Sequence, residues 1–122
     1  MSKYLLDPAK FAVLADALGD TPETVISVAR LRRGLCRAYV IGDMSNTSAH
    51  IEAAVVQEDF APEEPAGFGT DTECLWEVLK TVPGWACISV EETLAPALSE
   101  LIQTEMGVDV SYYCELYCSL SQ

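Results

Sequence analysis

Apolar positions along this chain recur with two different periods, and the switches between them mark out the elements. Asp7 followed by Pro8 has the form of a helix N-cap with proline at the first helical position. Phe11, Leu14, Ala15 and Leu18 then recur at helical spacing, and Gly19 stands where a helix C-terminus favours a left-handed residue. The pattern repeats at once. Thr21-Pro22-Glu23 reads as the cap of a second helix through Val25, Ile26 and Ala29, ended by Gly34. Ahead of both helices, Lys3 to Leu6 reads as a short strand.

After Gly34 the period shortens. Ala38-Tyr39-Val40-Ile41 reads as a strand, a polar turn runs from Gly42 to Ser48, and Ala49 to Gln57 forms the second arm of a hairpin. An acidic loop with two prolines, 58–65, leads through Ala66-Gly67-Phe68-Gly69 to a helix start. There Thr70 and Glu73 have the spacing of a capping box. Leu75, Trp76, Leu79 and Val82 form the apolar face of that helix, and Pro83-Gly84 stops it. Trp85 to Val90 is almost continuously apolar, which predicts a central strand covered on both faces. Thr93 is placed to cap the next helix, with Leu94, Leu98, Leu101 and Ile102 on one stripe, Pro96 in its first turn and Gly107 beyond its end. Residues 110–120 alternate as a final strand, with Tyr113 and Tyr117 on the face opposite Tyr112. The predicted order is (β)-α-α-β-β-(β)-α-β-α-β, an α+β chain read as a single domain over 1–122 with no repeat or linker.

Charge sharpens the picture. Nineteen Asp and Glu face seven Lys and Arg, a formal net charge of −12, while half the 122 residues are hydrophobic. Such a hydrophobic share argues against disorder, and the acidic field argues against nucleic acid as a partner. Cations are concentrated before residue 41; beyond it only Lys80 stands among the carboxylates. The cluster Arg30, Arg32, Arg33 and Arg37 fits the last turn of a helix, where the dipole favours cations. The first eight residues show no hydrophobic signal-peptide core, and no apolar run reaches the ~18 residues of a membrane span. A cytoplasmic location and no membrane partner are therefore expected. Cys36, Cys74, Cys87, Cys114 and Cys118 are odd in number and include no C-x-x-C, and His50 is the single histidine, so neither a disulfide framework nor a metal site is expected. The cysteines read instead as small buried hydrophobes.

Two tandem helices after a first strand, then a hairpin, then alternating helices and strands form an order that resembles the GNAT superfamily of acyl-CoA N-acyltransferases. Leu75-Trp76-Glu77, Pro83-Gly84-Trp85 and Tyr112-Tyr113 to Tyr117 are most similar to the degenerate N-terminal lobe of two-lobed members. The resemblance implies a mixed, mostly antiparallel sheet flanked by helices, and a chain that forms the N-terminal lobe of a longer protein. It also implies a place to look for acetyl-CoA. The family carries a Q/R-x-x-G-x-G/A loop before a helix, whose backbone N–H groups cradle the coenzyme A pyrophosphate. This chain reads Glu64-Pro65-Ala66-Gly67-Phe68-Gly69 there, so Gly67, Phe68, Gly69 and Thr70 are the cofactor-binding candidates.

Glu64 departs from the first position of that loop, and Pro65 removes a donor. Glu58, Asp59, Glu63, Glu64, Asp71 and Glu73 are expected to crowd it and repel a pyrophosphate. Amine acylation needs a base for the ammonium and an acid for the thiolate. The residue types available are Glu52 on the hairpin and Tyr112 or Tyr117 in the late strand, although a solvated face for the glutamate and strand packing for the tyrosines are the commoner roles. A non-catalytic GNAT-related domain that supports a catalytic lobe or binds a partner or ligand is the expectation, with no cofactor. The alternative is a self-sufficient small acetyl-CoA-dependent N-acetyltransferase with an atypical phosphate loop. The 110–120 edge is expected to pair with a second lobe or, in a homodimer, with a second copy.

Overall fold

The computed structural model describes residues 3–45, 50–108 and 110. A short 3-10 turn, Pro8–Lys10, opens on Asp7, whose carboxylate accepts from Ala9 N at 3.0 Å. It runs straight into helix α1, Phe11–Leu18, followed by α2, Val25–Arg33. The hairpin is present as β1, Cys36–Asp43, and β2, His50–Glu58, paired antiparallel from Cys36↔Glu58 to Asp43↔His50. A third strand, β3 (Ala66–Gly69), pairs antiparallel with β2, so β2 is the centre of a three-stranded sheet in the order β1-β2-β3. Helices α3, Thr72–Leu79, and α4, Ala95–Met106, complete an α+β architecture.

The alternation of side chains along the strands sorts the core into two halves. Ala38, Val40, Ala54 and Val56 face α1 and α2, where they meet Phe11, Leu14, Val28 and Leu31. Tyr39, Ala53 and Val55 face the other way, onto Leu75, Trp76, Leu79, Leu98 and Ile102 of α3 and α4. The result is three layers, with one helix pair on each side of the sheet. Two short contacts lengthen the sheet at its edges. Leu5 bridges Tyr39 antiparallel, with Leu6 N donating to Ala38 O at 2.8 Å, so the segment read as a first strand lies beside β1 as a single bridge. Ser89 bridges Ala66 in parallel on the outer side of β3.

Several expectations change. Trp85–Val90 is not the central strand: it lies outside β3, with Ser89 as its one bridging residue and Ala86, Cys87 and Ser89 exposed. The N–H groups of Ala86 and Cys87 both donate to Glu63 O, at 2.8 and 3.1 Å, a bulge-like arrangement that interrupts any regular ladder. A continuous apolar run records what is available to be buried, not which strand lies between two neighbours. The helices α3 and α4 accordingly cover the same face of the sheet.

The second helix is rotated from the expected phase. Thr24, Ser27, Val28 and Leu31 point inward, while Val25, Ile26 and Ala29 are exposed. Thr24 explains the rotation. Its hydroxyl accepts from Thr21 N at 3.0 Å and donates to Gly19 O, so the interhelical turn is tied to a buried threonine rather than to an apolar side chain. The expected caps Thr70 and Thr93 are also displaced by one residue each, to Asp71 and Leu94. Gln57 closes the lower end of the sheet. Its amide donates to Pro62 O at 2.8 Å and Pro83 O at 2.7 Å while its carbonyl accepts from Tyr39 OH at 3.3 Å.

Candidate functional site

The segment expected to form a phosphate loop is a strand. Ala66–Gly69 is β3, and only Thr70 and Asp71 separate it from the first turn of α3. The acidic residues expected to surround one loop are thereby divided. Glu64 stands at the start of β3, where its carboxylate meets the Cys87 thiol at 3.9 Å. Asp71 and Glu73 stand beyond the far end, together with Glu52 of β2.

Close packing accounts for both glycines. A Cβ on Gly67 would lie 2.9 Å from Ile88 Cδ1 and 3.1 Å from Leu75 Cδ1, so the missing side chain lets α3 and the 85–90 segment close onto β3. Gly69 has φ +151°, and a Cβ there would lie 2.5 Å from Glu52 O. That approach coincides with a register shift between Ile41 and Gly42, where β2 carries Glu52 as an extra residue. Phe68, between them, is half-buried against the α1–α2 side of the core.

The bulge brings one catalytic candidate, Glu52, beside two of the cofactor candidates, Gly69 and Thr70. Glu52 O accepts from Thr70 N at 3.4 Å, and its carboxylate lies 3.9 Å from the Cys74 thiol. Asp71 Oδ1 accepts from Glu73 N at 2.9 Å and Cys74 N at 3.4 Å, and its other oxygen meets the Cys74 thiol at 3.4 Å. Gly67 N donates to Ser89 O at 2.8 Å. The amides of Gly67, Thr70, Glu73 and Cys74 thus all have acceptors within the protein. An open groove of about 780 Å³ runs from here along α4, lined by Asp71, Glu73, Glu100, Thr70, Thr104 and Leu101. Its lining includes three carboxylates and no Lys or Arg.

The thiols of Cys36 and Cys74 are held in the protonated form. Desolvation, and then the hydrogen bond and charge of Asp71 and the nearby Glu52, raise the pKa of Cys74 above its ordinary value. Burial, with Asp59 and Glu58 adding repulsion, pushes Cys36 up to about 11. A thiol in such surroundings is a poor nucleophile at neutral pH. His50 is exposed at the start of β2. The other catalytic candidates, Tyr112 and Tyr117, lie outside the described residues, as does the 110–120 edge. Among the described residues no group of three or more His, Cys, Asp and Glu is arranged to hold a metal ion. No helix among them is long and apolar enough to cross a membrane.

Neither Asp71 as a helix cap nor Cys74 as its partner is among the site residues that the sequence points to, although Asp71 carries a usable signal. Aspartate is as good an N-cap as threonine, and Asp71 stands next to the first helical residue. No family model, no curated protein and no solved structure matches the chain.

Proposed function

We propose that this chain is a domain related to the GNAT N-acetyltransferases that does not itself turn over acetyl-CoA, and that it supports a catalytic lobe or binds a partner or ligand. The relation is supported by a sheet with an antiparallel contact beyond β1, a parallel one beyond β3, and a tandem helix pair covering one face alone. The non-catalytic reading is carried by Asp71. At the N-terminus of α3 its carboxylate already occupies the amides that a pyrophosphate would need. A pyrophosphate arriving there would displace a charged cap and meet Glu52, Glu73 and Glu100 with no cation beside it. Two unit charges 4 Å apart repel by about 1 kcal/mol in bulk water and by several times that near a protein surface.

Titration calorimetry with acetyl-CoA at physiological salt tests this reading. The expected outcome is no saturable heat at micromolar ligand. A micromolar dissociation constant would overturn it and favour the self-sufficient N-acetyltransferase with an atypical phosphate loop.

A further inference from the structure

The rotation of α2 leaves an apolar row on its outer side. Val25 is 51% exposed and Ile26 61% exposed. Ile26, Ala29 and Arg33, at i, i+3 and i+7, share the outward face, since Thr24, Ser27, Val28 and Leu31 take the inward one. Phe60, 71% exposed, extends the patch sideways: the Arg30 guanidinium lies 5.4 Å from its ring centroid. Isolated exposed apolar residues need no explanation, but a contiguous row beside a stacked aromatic does.

Charge identifies the occupant. Two of the nearby arginines are neutralised locally, Arg30 by Glu58 and Arg32 by Asp16, both at 2.9 Å. Arg33 and Glu23 are both exposed, and among the described residues neither has an ion-pair partner. Arg37 of β1 is exposed as well, but it lies between Cys36 and Ala38 and so alternates onto the α3–α4 side of the sheet, and an acidic partner on α2 would therefore find Arg33 alone. A second copy of this chain finds a complement. With α2 antiparallel to its copy and a two-fold axis passing between Ile26 and Ala29, each Ile26 rests on the small Ala29 of the other copy. Arg33 of each then comes within about one residue's rise, ~1.5 Å along the axis, of Glu23 in the turn ahead of the other copy's α2. Elsewhere, beyond residue 40, Lys80 is the only cation, so contacts there would set carboxylate against carboxylate.

We propose that the exposed face of α2, with Phe60 at its flank, is a self-complementary surface through which two copies of this chain associate. The inference is independent of the functional reading above. The nine residues of α2 span only about 13 Å. The buried area then falls below the ~1,200 Å² of a standard interface, and the dimer dissociates in the ~10–100 µM range.

Sedimentation equilibrium over a concentration series reads the association directly. The wild-type chain is expected to pass from monomer to dimer across that range, and Ile26→Asp to weaken association by about tenfold or more. Glu23→Arg and Arg33→Glu each set like charges together at both ends of the contact, so each alone is expected to be monomeric. Mixed one to one, they restore opposite charges at both ends and are expected to form the heterodimer. All three positions are exposed, and unchanged thermal unfolding checks that the variants remain folded. A wild-type chain that stays monomeric at millimolar concentration would overturn the proposal. So would a dimer that survives Ile26→Asp, or a mixture of the two charge variants that stays monomeric.

Discussion

Replacing Gly69 by alanine separates the two accounts of the glycine pair. If the glycine serves a bound phosphate, the substitution leaves stability alone and weakens only ligand binding. The structure requires the opposite. Gly69 has φ +151°, and the new Cβ would lie 2.5 Å from Glu52 O and 3.0 Å from Ala53 Cα, both backbone atoms of the central strand. A side-chain tip can move aside, but these are main-chain atoms: Ala53 is paired on both sides of β2, and Glu52, the extra residue of the bulge, is held between the paired Ile51 and Ala53. The residue must hold an unfavourable φ, at about 1–3 kcal/mol, and push β3 from β2, at about 1–3 kcal/mol more. The stabilisation that Gly→Ala brings through the unfolded chain, about 0.4–1 kcal/mol, is too small to reverse the sign. Gly69→Ala is therefore expected to destabilise the domain by about 2–5 kcal/mol, lowering Tm by ~3–5 °C per kcal/mol. Urea unfolding followed by far-UV circular dichroism measures it. Gly67→Ala is the control: its Cβ meets only side-chain atoms of Ile88, Leu75 and Val90, so it is expected to cost less than half as much. A loss below about 0.5 kcal/mol for Gly69→Ala, or the reverse order of the two, would refute the β2–β3 register and the account built on it.

Leu79→Ala, which empties a fully buried site between the sheet and α4, is expected to cost about 2–5 kcal/mol in the same assay, and a loss under about 0.5 kcal/mol would place Leu79 outside the core. Gln57→Leu strips partners from Tyr39 OH and the carbonyls of Pro62 and Pro83; two of these can recover water at the surface, so a loss of about 2–4 kcal/mol is expected, and neutrality would show that the buried amide ties nothing together. Cys36, with its folded pKa raised to about 11, contributes stability that is complete below its ordinary pKa near 9 and is lost as pH rises from there toward 11. Alkylation mapped by mass spectrometry at pH 8 is accordingly expected to label exposed Cys87 first, Cys74 more slowly and Cys36 only on unfolding; early labelling of Cys36 would contradict its burial.

Most elements were legible because their signals are local. Asp7-Pro8 before Phe11, the 3.6-residue recurrence of Leu75, Trp76 and Leu79, and the hairpin from Ala38 to Gln57 each depend on neighbours within one or two turns of chain. What failed depended on tertiary partners. Val25 and Ile26 look like core residues in any apolar count, and only the Thr24 tether to Gly19 and Thr21 shows that the helix turns them outward. The apolar run Trp85–Val90 has the composition of a strand, yet it meets the sheet only as a bridge at Ser89 outside β3, held by hydrogen bonds to Glu63 and Pro65 that no periodicity encodes.

The candidate site was legible in its residues and not in its geometry. Gly69 and Thr70 stand just ahead of α3 beside Glu52, a proximity made by the bulge in β2 that no local pattern announces. Their meaning changes because a glycine at a crowded strand pair and a glycine in a phosphate cradle are written with the same letter. Both solve a problem of close approach; in one the approaching body is a ligand, in the other a neighbouring strand or helix. The acidic background decides between them here. A helix N-terminus attracts whichever anion is nearest, and within this chain Asp71 is covalently held at the amides of Glu73 and Cys74. A tethered carboxylate loses far less translational entropy on docking than a free phosphate does. With Glu52, Glu73 and Glu100 beside it, an incoming polyanion would have to overcome repulsion as well as displace that cap. Conversion of such a helix start into a coenzyme A site therefore requires two changes together, a neutral cap at position 71 and at least one cation along the α3–α4 groove.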